Sequence, residues 1–118
     1  MRYTILLLIM MVNLNGLPEP VEPPREVITV EATAYCACEY CCGKTDGITA
    51  SGTKATAGRT IAADPSLPFG TVVVIDGHEY VVEDRGGGVK GARVDIYFDS
   101  HSEALRFGRR IVEMEVMR

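Results

Sequence analysis

The sequence lacks two features that would indicate common functions: clustered cations and a good supply of histidines. The formal net charge is −4, and Lys and Arg occur singly apart from Arg109-Arg110. Because neutralising phosphates requires clustered cations, nucleic acid is not an expected partner. The 2 histidines are His78, beside a turn signal, and His101, at the start of a predicted helix. A nucleophilic cysteine needs a histidine base, so no catalytic cysteine is expected.

A long apolar segment is also missing. The apolar run Ile5–Val12 has 8 residues and follows Arg2, whereas a membrane-spanning helix needs about 20. This run is typical of a signal peptide, so residues 1–16 are interpreted as a signal peptide or a short N-terminal anchor, with a disordered or folded-back tail as the alternative. Residues 17–26 contain 4 prolines and 3 glutamates and predict an extended linker. The expected location is secreted or cell-envelope associated, with membrane contact only through the N-terminal segment.

The remaining residues, 27–118, are expected to form one folded domain. Alternating residues predict strands at Glu26–Tyr35, Arg93–Phe98 and Ile111–Met117. A short apolar stretch predicts another at Thr60–Ala63, and two further strands, Val72–Ile75 and Glu79–Val82, flank a turn signal. Asp76-Gly77 is a two-residue hairpin signal. Ser100 and Glu103 form a capping box that opens a helix, and Gly108 ends it. Six short strands with one or two short helices predict a mainly β fold, a small closed barrel, because an open sheet would expose its edges.

Two carboxylates and a glycine-rich loop indicate a cleft. Asp84 ends one predicted strand, four glycines follow within seven residues, and Asp95 lies within the next strand. Glycines allow a tight loop or the close approach of a ligand to the main chain. Strand alternation places Val94, Ile96 and Phe98 on one face and Arg93, Asp95 and Tyr97 on the other. The second face is the predicted floor of the cleft.

All four cysteines lie within seven residues, just after the first predicted strand: Cys36, Cys38, Cys41 and Cys42. In an exported protein an even cysteine count is first interpreted as disulfides, and four cysteines allow three pairings. A bridge between adjacent Cys41 and Cys42 is the least attractive, since it strains the backbone. A thiolate metal site is the second interpretation, although structural zinc sites usually draw ligands from two separated segments. Free or redox-active thiols are the third. In each case the cysteines are expected to support a loop beside the cleft.

Five ordered motifs carry a resemblance to a known family. They are Thr33-Ala34-Tyr35, Thr49-Ala50-Ser51-Gly52-Thr53, Ala62-Ala63-Asp64-Pro65 with Phe69-Gly70-Thr71, Asp84-Arg85-Gly86-Gly87 with Lys90-Gly91, and Val94-Asp95-Ile96-Tyr97-Phe98. Together they resemble the three-aspartate (3D) domain of bacterial cell-wall proteins, of the C-terminal part of the membrane-bound lytic transglycosylase A family and of stationary-phase survival wall enzymes. The resemblance implies a double-psi β-barrel that cleaves peptidoglycan glycan strands. It also implies that Asp64, Asp84 and Asp95 are the three aspartates, with Asp95 catalytic.

The chemistry of a lytic transglycosylase suits one well-placed acid. The acid protonates the glycosidic oxygen, the 6-hydroxyl of the sugar attacks the anomeric carbon, and the same carboxylate takes up the hydroxyl proton. No cofactor is expected. Asp84 and Asp64 are expected to raise the pKa of Asp95, orient it or bind the sugar. Hydroxyl groups expected to bind the glycan belong to Thr33, Tyr35, Thr49 and Ser51, and Lys90 is expected to meet a lactyl or peptide carboxylate.

Two alternatives to an enzyme stay open at this point. The chain lacks the extra domain that helps to form the glycan groove in the larger transglycosylases, and it contains no recognisable repeat module for wall binding. A non-catalytic barrel that binds wall glycans is the first alternative. The second is a module that binds a divalent cation through the three aspartates, since carboxylate oxygens are the ligands that such cations prefer.

Overall fold

The computed structural model describes residue 16, residues 25–38 and residues 46–117. These ranges contain β1 (Arg25–Tyr35), β2 (Thr60–Ala62), β3 (Val72–Ile75), β4 (His78–Asp84), β5 (Arg93–Tyr97), α1 (His101–Phe107) and β6 (Arg110–Met117). The predicted signal segment, except Gly16, and residues 17–24 of the predicted linker lie outside the described residues. Arg25, placed in the linker by the sequence, instead pairs with Met117 of β6, and Glu26, where the first strand was predicted to begin, pairs with Val116. Over the described ranges, no helix is long and apolar enough to cross a membrane.

The six strands close into a barrel in the order β1-β5-β2-β4-β3-β6. The pairs β1–β5 and β2–β4 are parallel, and the other four neighbouring pairs are antiparallel. Closure pairs both edges of every strand, which removes the exposed edges that an open sheet of this size would carry. The predicted fold, a mainly β six-stranded double-psi barrel with a short helix, is confirmed.

Alternation along the strands separates an apolar core from a second, partly polar cluster. Val94 and Ile96 of β5 point into the barrel, where they meet buried residues of the other five strands: Val30, Ala32, Ile61, Val73, Ile75, Val82, Met114 and Val116. Asp95 and Tyr97 point the other way, as predicted from the pattern of this strand. Tyr97 belongs to a smaller cluster with Tyr35, Ala62 and Val89. Asp95 therefore lies outside the main core, beside this smaller cluster.

The turn and cap signals of the sequence are confirmed at both predicted positions. Asp76 has φ 52° and Gly77 has φ 76°, as a two-residue hairpin between twisted strands requires. The Ser100 hydroxyl accepts a hydrogen bond of 3.1 Å from the Glu103 amide at the start of α1. The helix packs against β1. This contact brings the beginning of α1 close to the end of β1.

Candidate functional site

A cleft of about 380 Å³ opens on the partly polar side of the barrel. One wall is the loop 46–55 and the other is the glycine-rich loop that contains Gly86, Gly87 and Val89. The floor consists of strand residues: Tyr35, Ala62, Asp84, Asp95 and Tyr97. Two of the three predicted catalytic aspartates thus share one cleft.

Strand register aligns these floor residues in one row. Ala62 of β2 pairs with Asp84 of β4 on one side and with Asp95 of β5 on the other. Thr33 of β1 pairs with Asp95 from the far side. Neighbouring strands lie about 4.8 Å apart, so the Cα atoms of Asp84 and Asp95 are separated by about 10 Å. Because alanine is small, nothing larger than a methyl group lies between the two carboxylates on the strand that separates them.

Asp95 is half-buried and has a hydroxyl partner. The Thr33 hydroxyl donates to Asp95 Oδ1 over 2.9 Å. Burial is the largest influence and raises the pKa of Asp95 above its usual value. The hydrogen bond from Thr33 lowers this pKa, the charge of Asp84 raises it and the charge of Arg93 lowers it, and the net result is a rise. Removing a carboxylate from water disfavours its ionised form, and this explains the direction. Asp95 is therefore a carboxyl group suited to donating a proton.

Asp84 is held by three donors. Its Oδ2 accepts a hydrogen bond from the Tyr35 hydroxyl at 2.7 Å. Its Oδ1 accepts from the backbone amides of Ala50 at 2.8 Å and Arg85 at 2.9 Å. Asp84 thus joins β1, the loop 46–55 and the start of the glycine-rich loop. Arg93, on the same face of β5 as Asp95, forms a salt bridge of 2.6 Å with Glu31.

Asp64 holds a loop outside the cleft lining. Its two carboxylate oxygens accept hydrogen bonds from the backbone amides of Ser66 at 2.8 Å and Gly91 at 2.6 Å. These bonds, that of Gly91 first, lower the pKa of Asp64 to about 2, with a smaller contribution from the charge of Lys90. Asp64 therefore fixes the end of the glycine-rich loop, which forms one cleft wall.

The remaining predicted sugar-binding groups divide between the cleft and its surroundings. Thr49 lines the cleft, but its hydroxyl lies within 3.0 Å of Ser51 Oγ and 2.8 Å of Thr53 Oγ1. The Ser51 amide also donates to the Glu83 carbonyl, which anchors the loop on β4. Lys90 is exposed and outside the cleft lining. Sequence reasoning missed Ala62, because only the pairing of β2 with both neighbours reveals its central place.

The cysteine segment follows β1 directly and approaches α1. Cys36 and Cys38 lie within the described residues, whereas Cys41 and Cys42 lie outside them. His101 Nδ1 is 3.7 Å from the Cys36 sulfur and 3.6 Å from the Cys38 sulfur. His101, predicted to lie at the start of a helix, is therefore also beside two of the cysteines. The packing of α1 on β1, which no local pattern encodes, brings these residues together.

The carboxylates do not share a metal site. Among the described residues, the group of His, Cys, Asp or Glu side chains that could hold a metal ion consists of Cys36, Cys38 and His101. The oxygens of Asp64 and Asp84 instead accept hydrogen bonds from the amides and the hydroxyl described above.

Comparison with known proteins gives the family. The model of the 3D domain family matches residues 59–118, a range that includes all three aspartates. The chain belongs to the 3D domain family. Thr33, Tyr35, Thr49 and Ser51 precede the matched range.

Curated relatives come from Bacillus subtilis (strain 168). The chain is 33% identical over 100 residues to "Putative cell wall shaping protein YabE", covering 81% of this chain and 24% of the relative. It is 36% identical over 95 residues to "Cell wall-binding protein YocH", covering 76% of this chain and 32% of the relative. The chain therefore spans about a quarter of the length of the first relative and about a third of the second.

Solved structures share the fold. The crystal structure of MltA from E. coli has a TM-score of 0.53 and 23% identity, covering 60% of this chain and 27% of that chain. A second structure of Escherichia coli MltA, described as a unique lytic transglycosylase fold, has a TM-score of 0.54 and 23% identity over the same shares. At this identity the likeness establishes the barrel architecture.

Proposed function

We propose that this domain binds peptidoglycan in the bacterial cell envelope and cleaves its glycan strands as a lytic transglycosylase. Membership of the 3D domain family and relatives named for wall binding and wall shaping support the wall as the site of action. The barrel shared with MltA, described as a lytic transglycosylase fold, supports the reaction class.

The observation that carries the proposal is the state of Asp95 on the cleft floor. Its side chain is half-buried, its pKa is raised mainly by burial, and it lies in one strand row with Asp84. A general acid acts in its protonated form, and burial beside a second carboxylate raises the fraction of that form at a given pH. Thr33 fixes the orientation of the carboxyl group through its 2.9 Å hydrogen bond.

The proposed reaction balances without water as a reactant. Protonated Asp95 gives its proton to the oxygen that links N-acetylmuramic acid to N-acetylglucosamine, and the bond from C1 of the muramic acid to that oxygen breaks. The 6-hydroxyl of the same muramic acid attacks C1 and forms the 1,6-anhydro ring. The ionised Asp95 takes up the hydroxyl proton, which restores the acid for the next cycle.

Other cleft residues have supporting roles in this proposal. Asp84, fixed by Tyr35 and two amides, places a negative charge where positive charge develops at C1 in the transition state. Ala62 leaves the space between the two carboxylates open for the scissile bond. Asp64 acts indirectly, by holding Gly91 and therefore the glycine-rich wall.

A non-catalytic glycan-binding domain is the second candidate. The name of YocH, a cell wall-binding protein, favours it, as does the small share of MltA, 27%, that this chain covers. Under this reading the same cleft would hold a glycan strand without breaking it.

Product analysis tests the proposal directly. The full chain is incubated with purified peptidoglycan, and soluble muropeptides are identified by mass spectrometry. We expect products lighter by one water than hydrolytic products, and a loss of about 10²–10⁴-fold in their rate of formation for Asp95→Asn. The matched control is Asp99→Asn, since Asp99 is exposed and follows the same strand; it should retain the wild-type rate.

Three results would contradict the mechanism. Hydrolytic products would keep the substrate but require a water nucleophile and two working carboxylates. Equal rates for the wild type and Asp95→Asn would remove Asp95 from the reaction. Binding of peptidoglycan with no product from the wild type would leave the wall-binding function in place of the enzyme.

A further inference from the structure

Two thiols and an imidazole converge at the end of β1, and none of the three belongs to the cleft lining. Cys36 follows the end of β1, Cys38 is two residues further on, and His101 is the first residue of α1. Their ligand atoms all lie within 4.8 Å of one another. We propose that Cys36, Cys38 and His101 bind a zinc ion that ties the end of β1 to the start of α1. This proposal does not depend on the catalytic one.

Of the three distances between the ligand atoms, the two between nitrogen and sulfur suit tetrahedral zinc. With bonds of about 2.3 Å to sulfur and about 2.05 Å to nitrogen, a sulfur and a nitrogen ligand lie about 3.6 Å apart and two sulfurs about 3.8 Å apart. His101 Nδ1 lies 3.7 Å from the Cys36 sulfur and 3.6 Å from the Cys38 sulfur. The sulfurs are 2.9 Å apart, so they separate by about 0.9 Å when the ion enters. Cys38 is only half-buried, and rotation of its side chain can supply this movement.

The donor set favours zinc over a disulfide between the same cysteines. Thiolates and imidazole together are typical zinc ligands. The imidazole is nearly equidistant from both sulfurs, as a shared metal ion requires and a disulfide does not. Ligands also come from two separated segments, as structural zinc sites usually require. Sequence alone offered four thiols in one heptapeptide, and the missing second segment is the one that carries His101.

The site is placed to brace the cleft. Tyr35 and Ala37 line the cleft. Cys36 and Cys38 alternate with them along the chain and do not line it. Cys36 is only 2% exposed, so an ion bound there is shielded on the protein side. An ion held to His101 would fix the segment that positions the Tyr35 hydroxyl against Asp84. These three ligands leave the fourth position of a tetrahedral ion to water or a further ligand. Binding releases the two thiol protons and stabilises the folded chain.

Metal titration of the full chain tests the proposal. The protein is reduced, stripped with a chelator and titrated with cobalt(II) as a spectroscopic probe, followed by zinc. We expect one equivalent of cobalt, a thiolate-to-cobalt charge-transfer band, tetrahedral d–d bands and displacement by one equivalent of zinc. The melting temperature should rise with zinc and fall with chelator.

Variants locate the ligands. Cys36→Ser, Cys38→Ser and His101→Ala should each weaken metal binding at least tenfold. His78→Ala is the matched histidine control, because His78 Nε2 contacts the Gly58 carbonyl on the hairpin side, and it should bind as the wild type does. X-ray absorption at the zinc edge of the wild type should show sulfur ligands and one imidazole, whether or not the variants fold.

Three results would overturn the site. A zinc spectrum with sulfur ligands alone would exclude His101. Full binding by Cys36→Ser combined with loss in a Cys41→Ser/Cys42→Ser variant would place the metal elsewhere. Absence of binding, with a mass two hydrogens below the reduced chain and a peptide linking Cys36 to Cys38, would replace the metal with a disulfide.

Discussion

The hydrogen bond between Thr33 and Asp95 supports a quantitative prediction that needs no assay of activity. Thr33→Val removes the hydroxyl that donates to Asp95 Oδ1 over 2.9 Å and keeps the shape of the side chain. The bond favours the ionised carboxylate, since it lowers the pKa of Asp95 against the rise caused by burial. Its loss should therefore raise that pKa further. Carbon-13 NMR titration of the Asp95 carboxyl group measures this shift directly.

The same substitution should destabilise the domain by an amount that depends on pH. A hydrogen bond to a charged group contributes about 1.5–3 kcal/mol, and one to a neutral group about 0.5–1.5 kcal/mol. Asp95 is partly exposed, so the lower end of both ranges applies. The free energy of unfolding of Thr33→Val should then fall by about 1.5 kcal/mol where Asp95 is ionised and by about 0.5 kcal/mol where it is protonated.

Denaturant unfolding at several pH values measures this difference. Thr29→Val is the matched control, because Thr29 lies on the same strand but is exposed; its effect should not change with pH. A destabilisation of Thr33→Val that is equal at low and neutral pH would refute the reasoning. So would an Asp95 pKa that stays constant or falls in the variant.

Three further predictions follow from the same contacts. Asp95→Asn should stabilise the domain at neutral pH. Because the pKa of Asp95 is raised in the folded state, its ionised side chain opposes folding above the folded-state pKa, and this effect is absent below the unfolded-state pKa. Thermal melting should therefore show a gain in stability that disappears in acid. Asp64→Asn should lower the melting temperature at neutral pH, because the new amide group cannot replace both hydrogen bonds from backbone amides. This loss should vanish as the pH falls through about 2, the pKa of Asp64. A loss that is constant with pH would contradict this. Tyr35→Phe removes the 2.7 Å bond to Asp84 and should cost about 1.5–3 kcal/mol in denaturant unfolding, with a cost near zero as the contrary result.

Local patterns were sufficient to predict most of the fold. Val72–Ile75 has the predicted bounds, because its apolar run ends at a two-residue turn whose geometry Asp76 and Gly77 determine themselves. β4 extends over His78–Asp84, beyond the apolar segment Glu79–Val82, and it ends at Asp84 as predicted. Asp84 pairs with Ala62, whose distance along the chain hides this contact from any local pattern.

The site could be predicted from the sequence only for residues placed by the alternation of a single strand or by a short loop next to it. Alternation along β5 placed Asp95 on the polar face, and its neighbour Asp84 followed from the short loop between them. Asp64 was grouped with them, but its oxygens bind backbone amides, and its bond to Gly91 joins residues 27 apart in sequence. His101 beside Cys36 spans 65 residues. Both contacts join residues far apart in the chain, and the periodicity of the sequence does not encode them.

The pairing of the first and last strands has a consequence for how the chain folds. β1 forms its antiparallel ladder with β6, from Arg25↔Met117 to Ala32↔Arg110, and its parallel ladder with β5. Neither partner exists while the first half of the chain is being made. The barrel therefore closes only after translation of β6, and the large sequence separation of these ladders predicts slow folding for a domain of this size. Loss of the β6 residues through an early stop codon would leave β1 and β3 each with an unpaired edge.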